Sequence, residues 1–398
     1  MRIALCTDFF YPELGGVQDS VALLAKTLGA RGHQVMIYAP RAAARDYAVA
    51  NSPNKELDLG SNVKICRLFS VSVPSDTGQS RFVVPTFTRW REFRVFQPDV
   101  IHTNTFFGIG LEAMWARKKL KVPLVGTNHF AVGEYAVAIS KRLNPKIFSK
   151  WALKAVVWYY NHCDFLSAPS RSVIEEMQSW GLRIRSDVVS NPIDTEVFHP
   201  PDGEKDILKK KLGFSGSTFI YAGKFSPEKY VDVLVRALPM VAREVPDVQF
   251  MLAGHGSEKA HLENIARELG VSKHLRFMGT LSKPDLAEAY RAADIFSSAS
   301  TSETQSLVLL QAYACGLPAV AVRWRAFKEY VPADCGFLAE PYKSDDIASK
   351  LVRLLRDRSL REQMGTRARD FALAFSADSV AVRWETIYRS ASEEVKRA

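Results

Sequence analysis

The feature that most constrains this chain is an alternation of short β-branched runs with helix-patterned segments, begun at the first residue and begun again past the middle. In the first half the runs are Ile3–Thr7, Gln34–Ala39, Val63–Phe69, Val100–Asn104, Leu124–Asn128, Phe165–Ala168 and Asp187–Ser190. They read as buried parallel strands. Between the first two, Val17, Val21, Leu24 and Leu28 line one face of a helix, which Gly29 and Arg31-Gly32-His33 close. The alternation restarts with Thr218–Ala222, Val248–Ala253, Leu275–Met278, Asp294–Ser298 and Ala319–Val322, separated by helical stretches such as Glu258–Leu269. The fold class is therefore α/β, with two parallel sheets in series.

A length of 398 residues agrees with two domains. The expected boundary is the cluster His199-Pro200-Pro201-Asp202-Gly203, which follows Asn191-Pro192-Ile193-Asp194. This gives a first domain over 1–200, a second over 201–375, and a closing amphipathic helix over 376–398 that must pack on something already built.

Apolar residues at 47% and charged residues at 24% exclude a disordered, fibrous or disulfide-stapled chain. Cys6, Cys66, Cys163, Cys315 and Cys335 stand far apart without a C-x-x-C pair, as small buried hydrophobes in a reducing compartment would. The start, MRIALC, runs straight into a strand and lacks the apolar core of a secretory signal, so a cytoplasmic protein is expected. The most apolar aromatic stretch, Trp151 to Tyr160, is interrupted by Lys154 and is too short to span a bilayer. The net charge is +10, of which residues 1–200 carry +7. Lys209-Lys210-Lys211 reads as a solvated helix face.

In open parallel sheets, ligands bind outside the carboxyl ends of the strands, where turns lead into helices. After the first strand comes Tyr11-Pro12-Glu13-Leu14-Gly15-Gly16-Val17, whose adjacent glycines let backbone N–H groups approach an anion, or simply make a tight turn. After the second domain's first strand comes Gly223-Lys224-Phe225-Ser226-Pro227-Glu228-Lys229. Its lysines either clamp a diphosphate or stand exposed on a capped turn. Gly254-His255-Gly256 follows another strand and admits a nucleotide closely, although such a turn is common. In Ser302 to Pro318, Glu303 precedes a helix expected from about Gln305, and Gln311 lies two turns in, roughly 12 Å along the axis. These two side chains either hold opposite ends of an extended ligand or serve as a dipole partner and a buried amide.

Taken together, the PELGGV loop within Asp8–Val17, NPIDTEVF at Asn191–Phe198, AGKFSPEK, SETQSLVLLQAYACGLP and CGFLAEP at Cys335–Pro341 resemble glycosyltransferase family 4, of the GT-B fold. The similarity covers nearly the whole chain with its motifs in order. It implies two Rossmann-like domains facing a cleft, a nucleotide-sugar donor bound mostly by the second, transfer with retention of anomeric configuration, and a final helix that crosses back to the first domain. It further implies that Gly16 offers its amide to the donor diphosphate, that Lys224 and Lys229 neutralise the same group, and that Glu303 binds the hexose hydroxyls. Gln311 stands at a ribose-binding position where the family usually has Glu, and His129 matches an active-site His. Gly15, Gly254, His255, Gly256, Ser306 and Leu307 complete the donor-binding set.

The reaction so implied depends on stabilising the departing diphosphate, with lysines in place of a metal ion and with no cofactor beyond a UDP- or GDP-sugar substrate. Several positions depart from the family: Gln311 replaces an acid, Lys224 an Arg, and Ser306 and Tyr230 glycines. Val322 to Glu329, with Trp324 and Phe327, replaces a small glycine-containing loop, and its bulk is expected to narrow or re-aim the donor site.

Acceptor selection falls to the more basic first domain. Arg81, Arg89, Arg91 and Arg94 stand among Phe82, Phe87, Trp90, Phe93 and Phe96. Lys141, Arg142, Lys146, Lys150 and Lys154 interleave with Phe148, Trp151, Val157, Trp158 and Tyr159. Cations mixed with aromatics suit an anionic bilayer, or else the aromatics are core and the cations its rim. Asn128-His129-Phe130 with Glu134 resembles the lipid-glycosylating branch. The expectation is a retaining hexosyltransferase building a glycolipid or envelope glycan, peripheral on the inner membrane face. The alternatives are a nucleotide-sugar 2-epimerase of the same fold and a weakly active or noncatalytic nucleotide-binding homologue. No nucleic-acid reading motif accompanies the basic residues.

Overall fold

A computed structural model of the chain describes residues 1–13, 15–50, 52–73, 80–130, 145–203 and 205–397, with side chains from 150 onward in the helix that begins at Pro145. Two compact units emerge, one of residues 1–192 with 377–398 and one of residues 193–376. The division falls at Pro192/Ile193 rather than at the His199–Gly203 cluster. Ile193 and Phe198 are buried in the second unit's core, so the chain has changed units before it reaches the prolines.

The first unit is built on a seven-stranded parallel sheet in the order Val63–Leu68, Gln34–Pro40, Arg2–Cys6, Val100–Thr103, Leu124–Thr127, Phe165–Ala168 and Ser186–Val188. Strand period two sorts the side chains onto two faces. Ile3 and Leu5 meet Val21, Leu24 and Leu28 of the helix Gly16–Ala30 and Val380, Trp384 and Tyr388 of the helix Ala377–Arg397. Ala4 and Cys6 face the other way. There they join Phe93 of Trp90–Phe96, Ala113 of Gly108–Leu120 and Val156 of Pro145–Tyr160. The closing helix thus completes a layer of the first unit. Glu385 on it accepts from Arg31 Nε at 2.7 Å and lies 3.0 Å from His33 Nε2.

The second unit has a six-stranded parallel sheet in the order Leu275–Gly279, Gln249–Ala253, Thr218–Ala222, Ile295–Ser298, Ala319–Val322 and Gly336–Ala339. Its last strand was legible only as part of a motif: Gly336-Phe-Leu-Ala carries no β-branched residue, and its extended shape comes from pairing with Ala319–Val322. A two-residue pairing of Val71–Ser72 with Arg81–Phe82 in the first unit gave no period to read either.

Lys209 corrects the expectation of a solvated charge run. It is buried, with Nζ 2.5 Å from Asp294 and 3.1 Å from the Gly216 carbonyl, and so pins the helix Lys205–Lys211 to the sheet. Lys205 and Lys209 hold the buried Asp294 carboxyl below its usual range against the opposing effect of burial. All five cysteines are free thiols. Among the described residues, no helix is long and apolar enough to cross a membrane.

Candidate functional site

In each unit the residues singled out by sequence gather at the carboxyl edge of the sheet. In the first, Gly15 is the N-terminal cap of Gly16–Ala30 and its carbonyl accepts from the Asp19 amide at 3.0 Å. The amides of the opening turn lie ahead of the helical ladder, as they must at any helix start. Leu14 of this loop lies outside the described residues.

His129 follows the strand Leu124–Thr127 and is 8% exposed. Its Nε2 lies 3.0 Å from Asn104 Oδ1, and Asn191 also hydrogen-bonds it. Burial pushes the imidazole down to about 4, with the Asn191 contact opposing, so the ring is neutral at physiological pH. Asn191 also accepts from Ser20 Oγ at 2.9 Å. One amide therefore ties the helix that Gly16 opens to the candidate histidine. In the sequence this asparagine is only the first residue of NPIDTEVF, because its two partners lie on distant segments.

Beneath His129, His102 is also buried neutral, pushed down to about 3 by burial and then by its neighbour His129. It sits between Tyr388 at 2.7 Å and Thr127 at 2.8 Å. Asp8, at the end of the first strand, receives Thr105 Oγ1 at 2.6 Å and the Ile109 amide at 3.0 Å, closing the start of Gly108–Leu120. Burial raises it to about 6 although both bonds oppose the rise. Neither residue carried a role in the sequence reading. Lys141, Arg142 and Glu134 lie outside the described residues, as do the side chains of Lys146 and Phe148.

In the second unit the two key side chains meet. Lys229 Nζ lies 2.7 Å from Glu303 Oε1, both largely buried, which joins the loop after Thr218–Ala222 to the loop after Ile295–Ser298. Lys224 is exposed, and its carbonyl accepts from Tyr221 Oη at 3.0 Å. The turn Gly254-His255-Gly256 is explained by the loop beside it. A Cβ on Gly254, at φ +139°, would stand 1.9 Å from the Gly223 oxygen. One on Gly256 would stand 2.1 Å from the Phe225 oxygen. The glycines let two loops pack, and the His255 carbonyl takes the Phe225 amide at 2.8 Å. The exposed His255 ring lies 3.0 Å from Thr280 Oγ1.

The helix expected from about Gln305 starts instead at Leu307, because Ser306 adopts φ +72°, which a right-handed helix excludes. Gln311 is consequently about one turn in rather than two. Ser306 is 4% exposed and its hydroxyl has no hydrogen-bond partner among the described residues. Among the described residues of this unit, four non-glycine positions have positive φ: Tyr230, Ser306, Arg325 and Tyr342. Each lies in a loop that leaves the carboxyl end of a strand, where strained backbone tends to gather at ligand sites. Two of them, Tyr230 and Ser306, are the positions where the sequence reading placed family glycines. The bulk expected from Phe327 is absent from the surface, since that ring is fully buried in the core; Trp324 stays 42% exposed.

Comparison with known proteins supplies the context for this edge. The model of Glycosyltransferase Family 4 matches residues 14–197, and that of Glycosyl transferases group 1 matches residues 204–371. The alpha-monoglucosyldiacylglycerol synthase of Streptococcus pneumoniae is 28% identical, over 89% of this chain and 78% of its own. The D-inositol 3-phosphate glycosyltransferase of Kribbella flavida is 30% identical, over 74% of this chain and 72% of its own. The crystal structure of Anabaena HepE in complex with UDP has a TM-score of 0.76 at 19% identity, covering 98% of this chain and 100% of that one, a likeness of fold.

Proposed function

This chain belongs to glycosyltransferase family 4, with the GT-B fold, and from that premise we propose that it transfers a hexose, with retention, from a UDP- or GDP-sugar to a glycolipid acceptor at the inner face of a membrane. The observation that carries the reading is the Lys229–Glu303 pair at 2.7 Å, held at the carboxyl edge of the second sheet one loop before the helix Leu307–Ala314. An ammonium there stabilises the negative charge that grows on the diphosphate as the glycosidic C–O bond breaks. The Glu303 carboxylate accepts hydrogen bonds from hexose hydroxyls. Lys224, on the same loop, adds a second cation. Leu307, the first residue of that helix, adds its backbone amide to the diphosphate site.

Gln311 accepts from ribose hydroxyls as an amide does. His129, being neutral, adds no charge at the first unit's edge. With two lysines at the leaving group the reaction proceeds without a metal ion. The lipid acceptor is supported by the pneumococcal relative, whose name gives a glucosyldiacylglycerol as its product.

The test is a panel of UDP- and GDP-hexoses with diacylglycerol-based and inositol-based lipid acceptors, scored for nucleoside diphosphate release and for the anomeric configuration of the product. One donor should turn over and yield the anomer of the donor. Inversion would overturn retention. Failure of every donor to bind or turn over would overturn the enzymatic reading.

A further inference from the structure

Two aromatic side chains of the second unit sit on backbone that aromatic residues avoid. Tyr230 closes the turn Pro227–Lys229 and opens the helix Val231–Glu244 at φ +47°. Tyr342, between the strand Gly336–Ala339 and the helix Ser344–Arg356, stands at φ +63°. In this left-handed region Cβ crowds the following carbonyl, so glycine would be the more stable residue at both positions. The two rings nevertheless meet, with centroids 4.8 Å apart and planes at 74°. Tyr342 remains 53% exposed, so folding gains little from its ring and does not account for the strain beneath it.

The pair stands beside the ion pair already described. Tyr230 directly follows Lys229, and its side chain is hydrogen-bonded to those of Tyr342 and of Thr301, two residues before Glu303. Its ring therefore spans the same two loops that Lys229 and Glu303 join at 2.7 Å. Three loops at the carboxyl edge of one sheet, those after Thr218–Ala222, Ile295–Ser298 and Gly336–Ala339, thus bring together a cation, a carboxylate, two rings and three hydroxyls. Tyr230 is half-buried against the core while Tyr342 keeps its surface open to solvent.

A hexose has two kinds of surface to match. Its faces present C–H groups, which the negative face of an aromatic ring attracts, and its rim presents hydroxyls, which a carboxylate accepts. We infer that Tyr230 and Tyr342 form an aromatic wall on which the hexose of the donor stacks, and that this wall decides which hexose is transferred. The inference rests on the donor reading above and assigns its sugar specificity to two residues. Inverting one hydroxyl from equatorial to axial pushes an oxygen into the stacked face, so a wall separates epimers. The Lys229 ammonium cannot do so, because the diphosphate it meets is the same in each.

Titration calorimetry with UDP, GDP and two epimer pairs, UDP-glucose with UDP-galactose and GDP-mannose with GDP-glucose, tests it without any acceptor. Wild type should bind one member of a pair more tightly than the other. Tyr342→Gly should weaken that preferred nucleotide-hexose by about tenfold and level the two epimers, while leaving the affinity for the bare nucleoside diphosphate unchanged. Tyr342→Phe keeps the ring and should keep the preference. Glycine relieves the left-handed backbone, so the glycine variant should melt no lower than wild type. An equal loss for nucleotide-hexose and bare nucleotide would show that the ring only props the Lys229 loop and would overturn the inference. So would a wild type blind to the epimers, a Tyr342→Gly protein that keeps the preference, or a Tyr342→Phe protein that loses it. Nucleotide-hexose binding that the glycine variant leaves untouched would sink the wall and leave the transferase. Binding of neither nucleotide nor nucleotide-hexose by wild type would sink the donor reading itself.

Discussion

Replacing Lys229 with Met removes an ammonium while keeping the length and apolar stem of the side chain. In the free protein this ammonium sits 2.7 Å from Glu303, and both groups are about four-fifths buried. Losing it leaves the carboxylate without its cation, and for a partly exposed pair the stability cost should be about 1 kcal/mol. The catalytic cost should be larger. A hydrogen bond to a charged group is worth about 1.5–3 kcal/mol, which at 1.36 kcal/mol per decade is a loss of about tenfold to about 150-fold. Charge on the diphosphate is greatest as the C–O bond breaks, so the loss should fall mainly on kcat rather than on the donor KM. Initial rates of nucleoside diphosphate release against donor concentration, at saturating lipid, separate the two. Glu303→Gln and the double variant complete a cycle, and because the side chains touch, the double loss should differ from the sum of the single ones by at least about 0.5 kcal/mol. A folded Lys229→Met protein whose kcat stays within about twofold of wild type would refute the leaving-group argument.

Four further outcomes can be checked. Arg31 first, and then His33, hold the Glu385 carboxyl at about 2 against an ordinary 4.5; its contribution is present above 4.5 and is lost as pH falls toward 2. After discounting for solvent screening this is about 2 kcal/mol, so Glu385→Gln should lower stability at neutral pH by about that much and flatten the acid limb of urea melts; an unchanged limb would contradict it. Ser306→Gly relieves a φ of +72° and removes a buried hydroxyl without a hydrogen-bond partner among the described residues, and should raise stability by about 1 kcal/mol in thermal melts, where a loss would show the serine to be held by something else. Gly254→Ala forces a methyl to within 1.9 Å of the Gly223 oxygen and should cost at least about 2 kcal/mol while raising the donor KM; an unaltered melt would mean the loops have room. Adding a chelator should leave the rate unchanged, and a large loss restored by magnesium would overturn the role given to the lysines.

How far each conclusion was readable before the structure depended on the range of the interaction behind it. Alternating faces such as Ile3 and Leu5 against Ala4 and Cys6 are a local property, since strand geometry sends neighbours to opposite sides wherever the strand ends up. For the same reason the strand-and-helix alternation disclosed two parallel sheets, and it put Gly16, His129, Lys229 and Glu303 after strand ends. Gly336–Ala339 escaped because its extended form is imposed by its neighbour in the sheet. Lys209 was misjudged because three adjacent lysines report a charge run and not which of them meets a buried aspartate.

What the sequence alone determined, then, was the architecture and the strand ends after which the candidate residues stand. Periodicity and turn chemistry act within a few residues of each other and survive in any context. Only the tertiary structure decided that Lys229 would grip Glu303, that Asn191 would join His129 to Ser20, that two glycines serve loop packing, and that Trp151 and Trp158 face outward. Those depend on which surfaces meet after the chain has folded back on itself. A residue's own neighbours in sequence carry no record of that encounter.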